Sequence, residues 1–399
     1  MRLPPRDLAT YLAARLVPAF ATMCLTFVCI HWLSAEEYAT YSLTLLSAGV
    51  AAGFVGGVSG QAMLRYSHEL SPQALRRGMI GLPLAVAVIA SPWVLIYLGR
   101  GIGLSAAAWI ATATIPLLAL MDTRRSLFVA RARADAVFAL DAWRAGSALL
   151  IAFALLHGWG PHAAAPMLAQ LLSIVACLLL VRAGRAPGPP SHGTRTVDAH
   201  YVGYGLGIAG WMAVIVGLSV AERAVLATSS GLAASGHYAA QADVINAVFS
   251  AGGGALASAM MPAYLAQSHA PDATALRRLR QVGLLGVLAI AGLCLLLGIV
   301  LAAAGVGRIS QALTADVGTA GTLVAAGAVW TAAGFVQKPL ELSGHTGRIF
   351  GGVVVVLLMF LLIAPGLAGR LGPTGVAAAK LVAGLAYIAF AFAAARGSR

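Results

Sequence analysis

Seven ionisable side chains fall inside long apolar runs of this sequence: Arg15, Asp141, Arg144, Glu222, Arg223, Asp243 and Lys380. A charge in hydrocarbon is expensive, so such groups pair with one another, face a water-filled path or hold a charged ligand. Asp141 and Arg144 are three residues apart and can neutralise each other on one helix face. Glu222 and Arg223 are adjacent, so they point in different directions and each needs its own partner. Asp243 is expected at a similar depth on the next helix, which offers an Arg223–Asp243 pair. Lys380 has no charged residue within a turn of its own helix. It reads either as a cavity cation or as an ammonium capped by carbonyls. Arg15 stands three residues before Pro18, which removes a backbone bond and bends a helix. There it either faces a pocket or snorkels to the headgroups. Arg15, Arg144, Arg223 and Lys380 are thus the candidates to line a substrate cavity. Asp141, Glu222 and Asp243 are candidates for ion coupling or structural pairing.

Other chemistries find little purchase. His157 and His162 flank one turn, but no third ligand accompanies them, so no metal site is read. Cys24, Cys29, Cys177 and Cys294 sit in apolar stretches without CxxC spacing and read as free thiols. Gly252-Gly253-Gly254 lacks the Lys-Ser/Thr ending of a phosphate loop, so no nucleotide cofactor is implied. Small residues there suit close helix packing.

The elements that must position these groups are membrane spans. Of 399 residues, 60% are hydrophobic and only 10% charged, with a mean hydropathy of +0.87. A soluble domain carries roughly 25% charged residues. Apolar segments lie near residues 9–33, 39–62, 78–98, 103–121, 136–157, 162–182, 201–228, 238–262, 281–305, 315–337, 349–368 and 373–395. Each approaches the ~20 residues a helical span needs, and runs this long and apolar are not barrel strands. The expected fold is all-α, a polytopic membrane protein of about twelve spans. The first segment resembles a signal peptide, but no small-x-small pattern precedes Glu36-Glu37, so it reads as a retained helix.

The net charge of +13 would suggest nucleic acid in a soluble protein. Here it follows topology instead. With the N-terminus inside, 19 Lys and Arg fall in cytoplasmic loops and ends and 3 (Arg100, Arg308, Arg370) on the other side. The positive-inside rule then puts both termini in the cytoplasm. The run Arg124, Arg125, Arg131 and Arg133 enforces that topology and meets anionic headgroups of the membrane lipids.

Residues 184–199 are rich in Pro and Gly and read as a cytoplasmic linker. It separates a six-helix lobe, 1–183, from a second, 200–399. The lobes carry matching turns: Glu37-Tyr38-Ala39 against His237-Tyr238-Ala239, and Gly160-Pro161 against Gly372-Pro373. Matching sidedness makes this a parallel duplication.

Three segments resemble a known family. Leu33-Ser34-Ala35-Glu36-Glu37-Tyr38-Ala39-Thr40-Tyr41 is similar to the turn after the first span of polysaccharide-export flippases. Glu222-Arg223-Ala224-Val225-Leu226 with Gly236-His237-Tyr238-Ala239-Ala240 resembles their span-seven feature, with Glu222 where Asp is commoner. Leu371-Gly372-Pro373-Thr374-Gly375-Val376 resembles the opening of their last span. These Wzx-type flippases belong to the multidrug/oligosaccharidyl-lipid/polysaccharide (MOP) exporter superfamily. The resemblance implies two six-helix lobes around a central cavity in the bacterial inner membrane. It implies flipping of polyprenyl-pyrophosphate-linked oligosaccharide, as for O-antigen, beside a polymerase and glycosyltransferases of the same glycan pathway. The alternatives are an ion-coupled multidrug exporter of that superfamily and a membrane-embedded polymerase. The short loops on the arginine-poor side leave little room for the catalytic loop an enzyme would need.

Overall fold

The computed structural model describes residues 5–67, 69–131, 133–180, 196–269, 273–305, 310, 311, 314, 316–342 and 346–396. Among them the protein is all-α and polytopic. In order run α1 (Pro5–Trp32), α2 (Ala35–Tyr66), α3 (Pro72–Arg76), a π-helical turn (Arg77–Gly81) and α4 (Leu82–Ile102). Then come α5 (Ala106–Ala130), α6 (Ala134–Gly158), α7 (Ala164–Leu180), α8 (Ala199–Ser230), α9 (Leu232–His269) and α10 (Ala273–Ala303). The chain closes with α11 (Val317–Val336), α12 (Lys338–Leu342) and α13 (Thr346–Arg396), the last broken at Gly372. Eight helical stretches are long and apolar enough to cross a membrane. The last of these is split by Gly372 and counts twice; with α1, α7 and the less apolar α9 the described residues hold twelve.

The outward faces show what solvent these helices expect. Trp93 on α4 is 71% exposed and Leu362 on α13 is 82% exposed, with Ile89, Leu285, Leu288 and Ile299 comparably bare. In water such surfaces would associate; in lipid they carry no penalty. Positive-φ glycines, Gly103, Gly160, Gly231, Gly305 and Gly372, sit at breaks between helices or at the ends of helices. Only glycine takes that conformation without strain, and the matched turns at Gly160 and Gly372 both use it.

Two predicted turns prove to be helix. Glu36 to Tyr41 lie in the first turns of α2, and Gly236 to Gln241 lie in α9. Glu36 and Glu37 favour the helix start, where the dipole is positive. Gly231 (φ 89°) makes the break before α9 instead.

The helices pack as two compact units, residues 1–39 with 221–399 and residues 40–220. In the second unit α5 lies against α4, α6 and α7. Alanines at helical spacing, Ala107, Ala108, Ala111 and Ala119, are fully buried on α5. Small residues also bring α2 onto the first half of α8. A Cβ on Gly205 would fall 2.0 Å from the Val58 carbonyl oxygen, and one on Gly57 2.9 Å from Ala209 Cβ. Tyr201 completes that contact by donating to the Ser59 carbonyl at 3.2 Å.

In the first unit α9 is central, touching α1, α10, α11 and α13, while α11 lies along α13. Asp316 caps α11 through the Thr319 amide (2.9 Å) and also accepts from the Thr319 and Thr374 hydroxyls. The Thr319 hydroxyl bond leads the causes that hold the Asp316 carboxyl below its usual range. The cap thereby joins the start of α11 to the break at Gly372-Pro373.

The closest approach in this unit is at Gly236, where a Cβ would stand 1.8 Å from the Ala35 carbonyl oxygen. Gly236→Val must push α9 off the start of α2. Overpacking of this kind costs typically 1–3 kcal/mol. Thermal unfolding in detergent should show a clear drop in Tm, whereas Gly254→Ala, with open space around it, should change little. Equal Tm values for the two variants would contradict the packing.

Candidate functional site: two buried charge clusters

The end of α8 puts Glu222 and Arg223 into the first unit, both fully buried. Successive residues on a helix are rotated by about 100°, so the two side chains diverge. Glu222 meets Lys380 of α13, whose Nζ is 3.0 Å from Oε1 and 3.3 Å from Oε2. Tyr238 of α9 donates its hydroxyl to Glu222 Oε2 at 2.7 Å. Arg223 pairs through Nη2 with Asp243 Oδ1 of α9. Tyr38 of α2 donates to the other oxygen, Oδ2, at 3.0 Å. Two cations and two carboxylates thus form a neutral quartet. Backbone contacts fix its frame: Ser235 donates to the Arg223 carbonyl at 3.0 Å and Trp330 to the Lys380 carbonyl at 3.2 Å.

The Arg223–Asp243 pair is therefore as the residue depths suggested. Lys380 is neither carbonyl-capped nor unpaired; its partner is Glu222, 158 positions away in sequence. Tyr38 and Tyr238 were legible only as matched repeat positions. Their role as donors to the two carboxylates depends on where α2 and α9 begin.

The second unit holds the other cluster. Asp141 of α6 pairs with Arg125 of α5, Nε to Oδ2 at 2.8 Å, and not with Arg144. Asp141 and Arg144 share a helix face, but the guanidinium of Arg125 reaches across from the neighbouring helix with better geometry. Arg144 Nε is buried without a hydrogen bond. Asp122, absent from the sequence candidates because it borders the arginine run, lies on α5 under α2. A Cβ on Gly56 would come 3.1 Å from Asp122 Cβ. Arg124 is turned to α7 and donates to the Leu178 carbonyl at 3.0 Å. Arg15 lies on α1, and its side chain is outside the described residues.

No family model matches the chain, and curated protein sequences give no match. Solved structures do. An inward-facing multidrug resistance MATE family transporter of the MOP superfamily aligns over 98% of each chain, with TM-score 0.68 and 14% identity. Lipid II flippase MurJ, in an inward closed conformation, aligns over 98% of this chain and 88% of its own, with TM-score 0.73 and 11% identity. A MOP superfamily transporter from Pyrococcus furiosus, described by the reverse polarity of its binding pocket, gives TM-score 0.64 and 12% identity over 98% and 95%.

The chain shares its fold with MOP superfamily transporters. At these identities the likeness is one of architecture, and it covers the whole described chain rather than one helical hairpin.

Removing one member of a buried ion pair strands the other, at a cost of about 3–5 kcal/mol. Lys380→Met should accordingly lower Tm in detergent sharply. Glu222→Gln with Lys380→Met should recover most of the loss, since neither charge of that pair is left without its partner. A double variant no more stable than Lys380→Met alone would refute the pairing.

Proposed function

We propose that this chain flips polyprenyl-pyrophosphate-linked oligosaccharide from the cytoplasmic to the periplasmic leaflet of a bacterial inner membrane. It works by alternating access, for surface polysaccharide biosynthesis, with a polymerase and glycosyltransferases acting on the same glycan. The fold shared with a lipid II flippase supports this reading, and so do the three motif resemblances.

The observation that carries it is charge balance. In the first unit the quartet sums to zero, so Glu222 and Asp243 already hold cations. In the second cluster Arg124, Arg125 and Arg144 outnumber Asp122 and Asp141. An anionic cargo needs that excess, and a guanidinium offers paired donors to phosphate oxygens. Lys380 and Arg223 act in this reading as structural cations, while Arg144 and Arg15 are left for the substrate. A second reading, an ion-coupled multidrug exporter, is favoured by the MATE-like fold. It would need a buried carboxylate to bind cations, and loss of the gene would then raise drug sensitivity rather than abolish surface glycan.

The chain is proposed to be duplicated, with lobes 1–183 and 200–399 joined by the cytoplasmic linker 184–199. Its residues 184–195 lie outside the described residues. Reporter fusions after Arg195 and after Arg399 should both read as cytoplasmic; a periplasmic signal from either breaks the twelve-span topology.

Arg15→Ala should abolish glycan export at matched membrane levels, with Arg15→Lys restoring it partly, because an ammonium lacks the planar fork. Complementation of a flippase-deficient strain measures this. Near-normal export by Arg15→Ala would assign Arg15 to the headgroups instead.

A further inference from the structure

The second unit contains a cavity of about 230 Å³ lined by Met79, Ile80, Leu120, Arg124 and Leu178. Four of its five walls are hydrocarbon and the fifth is a guanidinium. The three contributing elements are the π-helical turn, α5 and α7. A π turn is rare in helices and is frequently found at functional sites. This one, Arg77–Gly81, carries Met79 and Ile80 into the cavity wall, with Arg76 and Arg77 exposed beside it.

Arg124 does not roam. Its Nη1 donates to the Leu178 carbonyl of α7 at 3.0 Å. That bond fixes the guanidinium in the cavity wall. Arg76, Arg77 and Arg124 set the cavity at the arginine-rich ends of these elements, where the positive-inside rule expects the cytoplasmic membrane boundary.

An apolar slot beside an anchored cation, at that depth, complements one chemistry: a phosphate ester on an acyl chain. Its volume is below the ~300–1,000 Å³ of pockets that enclose whole ligands, so it takes one stretch of chain and leaves the headgroup outside. We propose that this cavity is a binding site for an anionic bilayer phospholipid, one acyl chain lying between Met79, Ile80, Leu120 and Leu178 and its phosphate on Arg124. The four apolar residues fix the chain, and Arg76, Arg77 and Arg124 make the headgroup preference anionic. Arg124, counted above in the arginine excess, would hold a bilayer phosphate whether or not the chain is a flippase.

The test uses the full-length protein, delipidated in detergent and titrated with phosphatidylglycerol or phosphatidylcholine, with bound lipid counted by native mass spectrometry. Phosphatidylglycerol should be retained at one molecule per chain and raise Tm, and phosphatidylcholine should bind at least tenfold more weakly. Leu120→Trp fills the slot without changing charge and should weaken phosphatidylglycerol at least tenfold. Ile80→Trp, at a position already 42% exposed, narrows the mouth and should do the same if the buried variant fails to fold. Arg124→Gln should erase the preference between the two lipids. Equal binding by wild type and both tryptophan variants would overturn the site. So would a wild type that does not distinguish the two lipids. Preferential displacement of phosphatidylglycerol by a polyprenyl phosphate would overturn it as well, making the slot part of the cargo path.

Discussion

The first unit is organised around the cost of holding charge where water is absent. Glu222 and Arg223 are fully buried neighbours on α8 that helical geometry keeps apart. Each must therefore recruit a partner from another helix, Glu222 from α13 and Arg223 from α9. The result is a crossed pair of ion pairs that pins three helices at one level. Tyr38 and Tyr238 donate to the remaining carboxylate oxygens, which brings the start of α2 into the same network. Breaking any one contact leaves a charge or a donor stranded, so the arrangement acts as a unit.

Lipid removes the hydrophobic drive between helices, so association rests on close packing and polar contacts. The glycines meet that demand inside each unit. Gly236 lies against the Ala35 backbone in one; Gly57 and Gly205 bring α2 and α8 together in the other. At each point a methyl group would strike the facing helix. Alanine is the commonest buried residue on α5 to α7, and many large apolar side chains are turned outward to the lipid.

Electrostatics then separates structural from functional charge. The quartet in the first unit consumes its own charges and suits a fixed joint. The second unit pairs Asp141 with Arg125 and leaves arginine in excess, next to a cavity whose only polar wall is Arg124. A protein handling phosphate-bearing lipids would use the second arrangement to meet them and the first to hold its helices in place.

The twelve-span all-α architecture was written in composition and segment length, because only helices satisfy backbone groups over twenty apolar residues in lipid. The Arg223–Asp243 pair was also legible, since adjacent helices joined by a short turn bring equal depths together. Glycine at the Gly160 and Gly372 turns was legible as a motif. Tertiary structure alone decided the partner of Lys380, because Glu222 lies 158 residues away and nothing local joins α8 to α13. It also decided that Asp141 turns to Arg125 instead of Arg144, a choice between a neighbour on the same helix and one on the next. Asp122 was hidden because it borders the arginine run that topology already explained. Local sequence sets which helices form and how deep each charge lies. Which charge meets which depends on helix rotation and on close approach at residues such as Gly236, and those emerge only when the helices pack.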